Sequence, residues 1–133
     1  MFDLERVNRS RLYRALGIRL TAAQADSAAS EMRATDPVCW PGEDQPHGGI
    51  VFTQLDTTMA TAALGGDDNI ANATTVSLQI QYLAPARGEV LYCEATVQRR
   101  GGRLCFVQGE TRDPDGQLVA VGQGSFRIFA PTA

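Results

Sequence analysis

The sequence predicts an α+β fold in which an antiparallel sheet curls around one long buried helix. Three observations predict it. The stretch from about Gly48 to Leu64 has helical length and carries a single charged residue, Asp56, so most of its sides must be buried. The stretch from Thr74 to Leu83 alternates apolar and polar residues, the period of a half-buried strand. Beyond it, two turn motifs divide the rest of the chain into further strand-length segments.

Each element has its own justification. From Phe2 to Leu16, Leu4, Val7, Leu12 and Leu16 recur near helical spacing, and Gly17 stands where a helix C-cap belongs. Arg6, Arg9, Arg11 and Arg14 are interleaved there, as a solvated face or, on a second reading, as phosphate ligands. Ile18 to Thr35 is a strand candidate diluted by alanines. Asp36 to Pro46 is a loop punctuated by Pro37, Pro41, Gly42 and Pro46. The central helix ends at Gly65-Gly66, and Asp67-Asp68-Asn69 continues as loop. In the next strand Val76, Leu78, Ile80 and Tyr82 share one face, and Thr75, Ser77, Gln79 and Gln81 the other; Pro85 ends it. Glu89 to Gln98 and Leu104 to Thr111 follow, joined at Gly101-Gly102. Asp113-Pro114-Asp115-Gly116 is a second turn, and Gln117 to Phe129 the last strand.

Composition narrows the function. A chain of 133 residues reads as one domain, 1–133, with 44% hydrophobic and 20% charged residues, as in ordinary soluble globular proteins. A net charge of −3 argues against nucleic acid or an anionic membrane as partner. No segment reaches the length of a membrane span, and the N-terminus is too charged for a secretory signal. Cys39, Cys93 and Cys105 are odd in number and lack metal-type spacing, so a reducing cytoplasm is the expected compartment. With His47 the single histidine, a His/Cys zinc site or a hydrolytic triad without His47 has almost no ligands to use.

The chemistry concentrates in His47-Gly48-Gly49 and the helix it opens. Paired glycines at a helix N-terminus let a ligand approach unpaired backbone N–H groups, where the helix dipole favours negative charge. A carboxylate on an apolar helix is costly unless it has a partner or a task. The two features are an oxyanion site at Gly48 and Gly49 and an acid–base group at Asp56. They lie eight residues apart, about 12 Å along the axis at 1.5 Å per residue. One carbonyl cannot touch both halves on the same helix, since each contact needs about 3 Å. Two antiparallel copies of the helix would solve this, each supplying one half of each site. A solvent-facing Asp56 is the plainer alternative.

HGGIVFTQLDTTMATAA, TTVSLQIQYLAPARGEVLYCEATV and GGRLCFVQGETRDPDGQLVAVGQGSFRI together resemble the hotdog-fold acyl-CoA thioesterases, in the phenylacetate-pathway and hydroxybenzoyl-CoA thioesterase-like branch. The likeness runs from about Ile18 to Ile128. Its specific part is the His-Gly-Gly turn with an acidic residue seven positions after the second Gly, followed by a Tyr-Leu-x-Pro strand end. The resemblance implies a homodimer joined sheet edge to sheet edge, usually paired again into a tetramer. It implies interface active sites that hydrolyse acyl-CoA without a metal or organic cofactor. The His-Gly-Gly backbone would polarise the thioester carbonyl, Asp56 would act as general base or nucleophile, and Thr75 would assist it.

Several residues carry two readings. His47 either caps the turn or touches substrate, with loop positioning preferred over general-base work. Thr75 is an assistant or plain strand surface. Arg99, Arg100 and Arg103 bind CoA phosphates or flank a solvated turn. Trp40 and Met59 line an acyl pocket or pack in the core. One departure from the family stands out: an Asn is frequent about six residues before the His, and here that position is Pro41, which offers neither a side-chain donor nor a backbone N–H. The expected function is therefore hydrolysis of a small or medium acyl- or aryl-CoA thioester. The rivals are a non-catalytic acyl-CoA-binding protein and a thioesterase for acyl-carrier-protein substrates.

Overall fold

The computed structural model describes residues 2–65 and 70–132, with Asp36 described by its backbone alone. The loop expected over Gly66 to Asn69 lies outside these residues. Strands β1 (Ile18–Gln24), β2 (Ser27–Arg33), β3 (Asn72–Tyr82), β4 (Val90–Gly101), β5 (Leu104–Arg112) and β6 (Leu118–Phe129) form one antiparallel sheet in the order β1-β2-β4-β5-β6-β3. Helices α1 (Leu4–Asn8) and α2 (Arg11–Leu16) precede it. The central helix α3 (Gly48–Leu64) contacts all six strands, so the sheet bends around it in a hotdog architecture.

The core is the sheet-facing side of α3. Val51, Leu55, Met59, Ala62 and Ala63 pack against Leu91, Cys93, Cys105, Val107, Val119 and Phe126. The helix comes close because Gly109 and Gly122 are register partners beneath it. A Cβ on Gly109 would lie 2.8 Å from Leu55 Cδ2 and 3.0 Å from Met59 Cγ. Met59 is wholly buried there, which corrects its placement in an acyl pocket. A buried polar stitch fixes the rotation of the helix. Gln54 Nε2 donates to Ser30 Oγ at 3.2 Å and to the Leu91 carbonyl at 3.1 Å, and the Ser30 and Thr58 hydroxyls meet at 2.7 Å. With Gln54 directed at β2 and β4, Asp56, about 200° further round the helix, turns away from the sheet centre.

Three local expectations are corrected. The N-terminal helix is two short helices, because the Ser10 hydroxyl accepts from Tyr13 N–H and starts a new one. The Ile18–Thr35 segment is a hairpin of two strands, turning at Asp26 with φ of 64°, a left-handed conformation that Asp tolerates. On β3, a bulge between Thr75 and Ser77 breaks the strict alternation. Leu78 and Ile80 still face the core, but Val76 is thrown outward and is 61% exposed, while Ala73 and Thr75 turn inward.

The two sheet edges differ. On β1, Asn8 behaves like a strand backbone: its Oδ1 accepts from Leu20 N–H at 2.8 Å and its Nδ2 donates to the Leu20 carbonyl at 2.9 Å. Gly17 then ties α2 to β2, its carbonyl accepting from Arg33 N–H at 2.9 Å. A Cβ on Gly17 would strike the Arg33 carbonyl oxygen at 2.6 Å, and its φ is 74°. At the other end of the sheet, β3 pairs, among the described residues, only with β6, leaving an eleven-residue edge unpaired among them.

Candidate active site

His47 is the N-cap of α3. Its Nδ1 accepts from Gly49 N–H at 2.8 Å, and its carbonyl receives Ile50 N–H and Val51 N–H. An accepting Nδ1 leaves the ring hydrogen of neutral imidazole on Nε2. The expectation of two substrate-facing glycine donors is thereby corrected: Gly49 N–H is consumed by the cap. Among the described residues Gly48 N–H has no protein acceptor.

The loop before His47 closes as a small hairpin. His47 N–H donates to the Val38 carbonyl, Trp40 N–H donates to the Gln45 carbonyl, and Pro41 sits at the tip. The Trp40 ring stacks on His47 with centroids 4.4 Å apart and planes 33° from parallel. On the other side, Tyr82 donates its hydroxyl to the Gly48 carbonyl at 2.6 Å, and burial pushes its phenol above the ordinary value. Sequence reasoning missed this contact, although Tyr82 opens the Tyr-Leu-x-Pro strand end. Trp40, Pro46, His47, Gly48, Tyr82 and Val119 line a cleft of about 610 Å³ beside the helix N-terminus.

Asp56 lies outside that cleft, two turns along α3 and half-buried. Thr75 Oγ1 donates to its Oδ1 at 2.6 Å. The bulge on β3 makes this contact possible. Unbroken alternation from Leu78 and Ile80 would point Thr75 away from the helix. The helix face that carries Asp56 also presents Gly49, Phe52, Thr53, Thr57 and Ala60 as partly accessible residues, none of them charged.

A sequence model of the Thioesterase superfamily matches residues 47–120, more than half of the chain, beginning at His47 and including Asp56 and Thr75. The chain belongs to the thioesterase superfamily. A Halobacterium salinarum relative, named "putative esterase", is 37% identical over 97 residues, covering 67% of this chain and 64% of that protein. This chain spans about three fifths of the length of the curated relatives it matches. Among solved structures, a Ralstonia eutropha phenylacetic acid degradation-related protein, described as a "putative thioesterase", is 29% identical and covers 94% of this chain and 98% of its own, with a TM-score of 0.79. The Escherichia coli PaaI protein of the phenylacetic acid degradation operon shares the fold at 22% identity and a TM-score of 0.84, covering 96% of this chain and 91% of its own.

For this thioesterase-superfamily chain, the arginines divide. Arg100 is committed to the fold: its Nε pairs with Asp26 at 2.7 Å and its guanidinium reaches the Ala62 carbonyl in the last turn of α3. That corrects its assignment to CoA phosphate. Arg99 and Arg103 are exposed on the β4–β5 hairpin, outside the cleft. Among the described residues, no group of three His, Cys, Asp or Glu side chains is placed to hold a metal ion, and no helix is long and apolar enough to cross a membrane.

Proposed function

We propose that the chain is an acyl-CoA thioester hydrolase that works as a homodimer, with Asp56 as general base or nucleophile and Gly48 N–H as the oxyanion donor. The observation that carries this reading is the Thr75–Asp56 hydrogen bond of 2.6 Å, which orients a carboxylate on a helix face otherwise free of charge. Gly48 stands about 12 Å away on the same rigid helix, so a single carbonyl cannot use both. Pairing of two β3 edges about a two-fold axis would set two α3 helices antiparallel, each Asp56 beside the partner's Gly48. The unpaired β3 edge and the uncharged α3 face favour that arrangement, whereas Asn8 occupies the β1 edge.

In this mechanism Asp56 takes a proton from water as the oxygen attacks the thioester carbon. The oxyanion accepts from Gly48 N–H, supported by the α3 dipole. The carbonyl re-forms, the C–S bond breaks, and the CoA thiolate leaves. In the nucleophilic variant Asp56 attacks the carbon directly, the C–S bond breaks and the CoA thiolate leaves as the mixed anhydride forms, and water then hydrolyses that anhydride to the free acid and Asp56. The cleft walled by Trp40 and Tyr82 takes a small or medium acyl or aryl group, and His47 holds the turn rather than the proton. Cys93 and Cys105, both buried thiols, suit a reducing cytoplasm.

Thiol release from an acyl-CoA panel, and from the matching carrier-protein thioesters, tests the proposal on wild type and Asp56→Asn. The substitution should lower kcat roughly 10²-fold or more, the scale of a lost general base. Equal rates in the two proteins would refute the mechanism. Tight CoA-ester binding without turnover would make the chain a binding module instead.

A further inference from the structure

A glycine rotates where other residues cannot, so two glycines in a row are poorly suited to holding a donor still. At the start of α3 the neighbours supply the missing rigidity. The peptide that carries Gly48 N–H is anchored through its own carbonyl, that of His47, which receives Ile50 and Val51 N–H. The next peptide is held at both ends by side chains. Its N–H, that of Gly49, donates to His47 Nδ1 at 2.8 Å, and its carbonyl, that of Gly48, accepts from the Tyr82 hydroxyl at 2.6 Å. With an anchored peptide plane on each side of Gly48, both of its backbone rotations are fixed. Tyr82 is a firm support. It is the last residue of β3, paired with Ala120, and just beyond it Leu83 and Ala84 N–H both donate to the Val119 carbonyl. Its ring lies on the open side of Gly48, where a Cβ would stand 3.4 Å from the ring carbons Cε1 and Cζ. The strand β3 therefore reaches both polar groups of α3: Thr75 bonds Asp56, and Tyr82 bonds Gly48.

We propose that Tyr82 is a positioning residue of the oxyanion turn, its hydroxyl fixing the Gly48 carbonyl and, through it, the direction in which Gly48 N–H points. The proposal rests on the reading of Gly48 N–H as the oxyanion donor. Tyr82 acts through the glycine rather than on the substrate. Burial pushes its phenol above the ordinary value, so the hydroxyl keeps its proton and stays a donor throughout the neutral range. In the proposed dimer the strand that pairs with its counterpart is also the strand that holds both halves of the chemistry. Thr75 sets the carboxylate and Tyr82 the oxyanion turn, so the register of the β3 edges is passed to both groups of α3.

The test uses Tyr82→Phe, which keeps the ring on Gly48 and removes the hydroxyl. It should lower kcat about fivefold, the scale of one neutral hydrogen bond felt in the transition state. KM, and the Ki of a hexyl-CoA thioether that has no carbonyl to polarise, should change less than about twofold. A wild-type kcat, or a loss carried by KM and thioether binding instead, would overturn the proposal. Combined with Thr75→Val the losses should multiply, because the two hydroxyls serve different groups. A double variant no slower than Thr75→Val alone would also overturn it. A readout independent of turnover is the Gly48 carbonyl ¹³C resonance, which should move in Tyr82→Phe while the Asp56 carboxylate resonance stays; an unmoved Gly48 resonance means that the bond is not made. Gly48→Pro separates the brace from the reading beneath it. Gly48 is the first helical residue, and His47, at φ −56° and ψ 137°, suits a following proline, so the change removes the N–H and keeps the helix start. There kcat should fall roughly 10²-fold or more. That loss with a wild-type kcat in Tyr82→Phe refutes only the brace. A wild-type kcat in Gly48→Pro refutes the oxyanion reading and the brace with it.

Discussion

Replacing Thr75 by valine removes one hydroxyl while keeping a β-branched side chain that suits the strand. The lost bond is the 2.6 Å contact to Asp56 Oδ1, a length expected of a hydroxyl donating to a carboxylate. Bonds to charged groups contribute about 1.5–3 kcal/mol, and a half-buried carboxylate recovers part of that from water, leaving about 1–1.5 kcal/mol. If the transition state feels all of it, kcat falls about 5- to 13-fold. Unfolding entropy near 2.1 cal/mol/K per residue corresponds to about 0.28 kcal/mol per degree for a chain of this length, so Tm falls by no more than about 5 °C. Steady-state thiol release on Thr75→Val, Thr75→Ser, Asp56→Asn and the Thr75→Val/Asp56→Asn pair decides the matter. Thr75→Ser should recover most of kcat, and the double variant should be no slower than Asp56→Asn alone. A wild-type kcat in Thr75→Val, or a full further loss on top of Asp56→Asn, would show that Thr75 does not act through the carboxylate.

Two further outcomes follow from the packing. Gly109→Ala puts a methyl 2.8 Å from Leu55 Cδ2, an overpacking cost of about 1–3 kcal/mol, less about 0.4–1 kcal/mol from a stiffer unfolded chain; the net of about 0.6–2 kcal/mol should appear in calorimetry as a Tm drop of roughly 2–7 °C, and no drop would mean that α3 does not sit on this glycine. Burial raises the Cys93 thiol from 9.0 to about 11. The folded state then holds its proton more tightly than the unfolded chain, so the associated stability is complete below pH 9 and is lost as pH rises through 11. Denaturant midpoints measured across that window should decline less steeply in Cys93→Ala, and parallel declines would exclude the thiol as the cause.

How much was legible in the sequence differs from residue to residue, for physical reasons. The α3 segment could be read because near-absence of charge over a helix length has few other solutions, and Asp56 stood out against it. Met59 could not be placed. In a helix apolar almost all round, the side that meets the sheet depends on Gly109 and Gly122, far along the chain, and on the Gln54 stitch to β2 and β4. Val76 is an ordinary strand valine, and nothing in its identity marks a bulge; period-two reading assumes that no residue is inserted. Gly49 was a reasonable oxyanion donor until the rotamer of His47 was known.

The departures from regular pattern converge on one task. The His47 cap fixes the start of α3 and takes up Gly49 N–H, while Gly48 N–H, at the rim of the cleft, has no acceptor among the described residues. The buried Gln54, an expensive residue for a core, sets the rotation of the helix by bonding to Ser30 and Leu91. The β3 bulge gives up regular pairing beside Thr75 and in return aims its hydroxyl at Asp56. None of the three is needed to bury the apolar side of α3, which Leu55 and Met59 accomplish against the two glycines. Each instead fixes where a polar group of α3 stands relative to the sheet and to the open β3 edge. A fold under selection for stability alone has little use for such features, and their convergence on α3 is what the proposed two-copy site calls for.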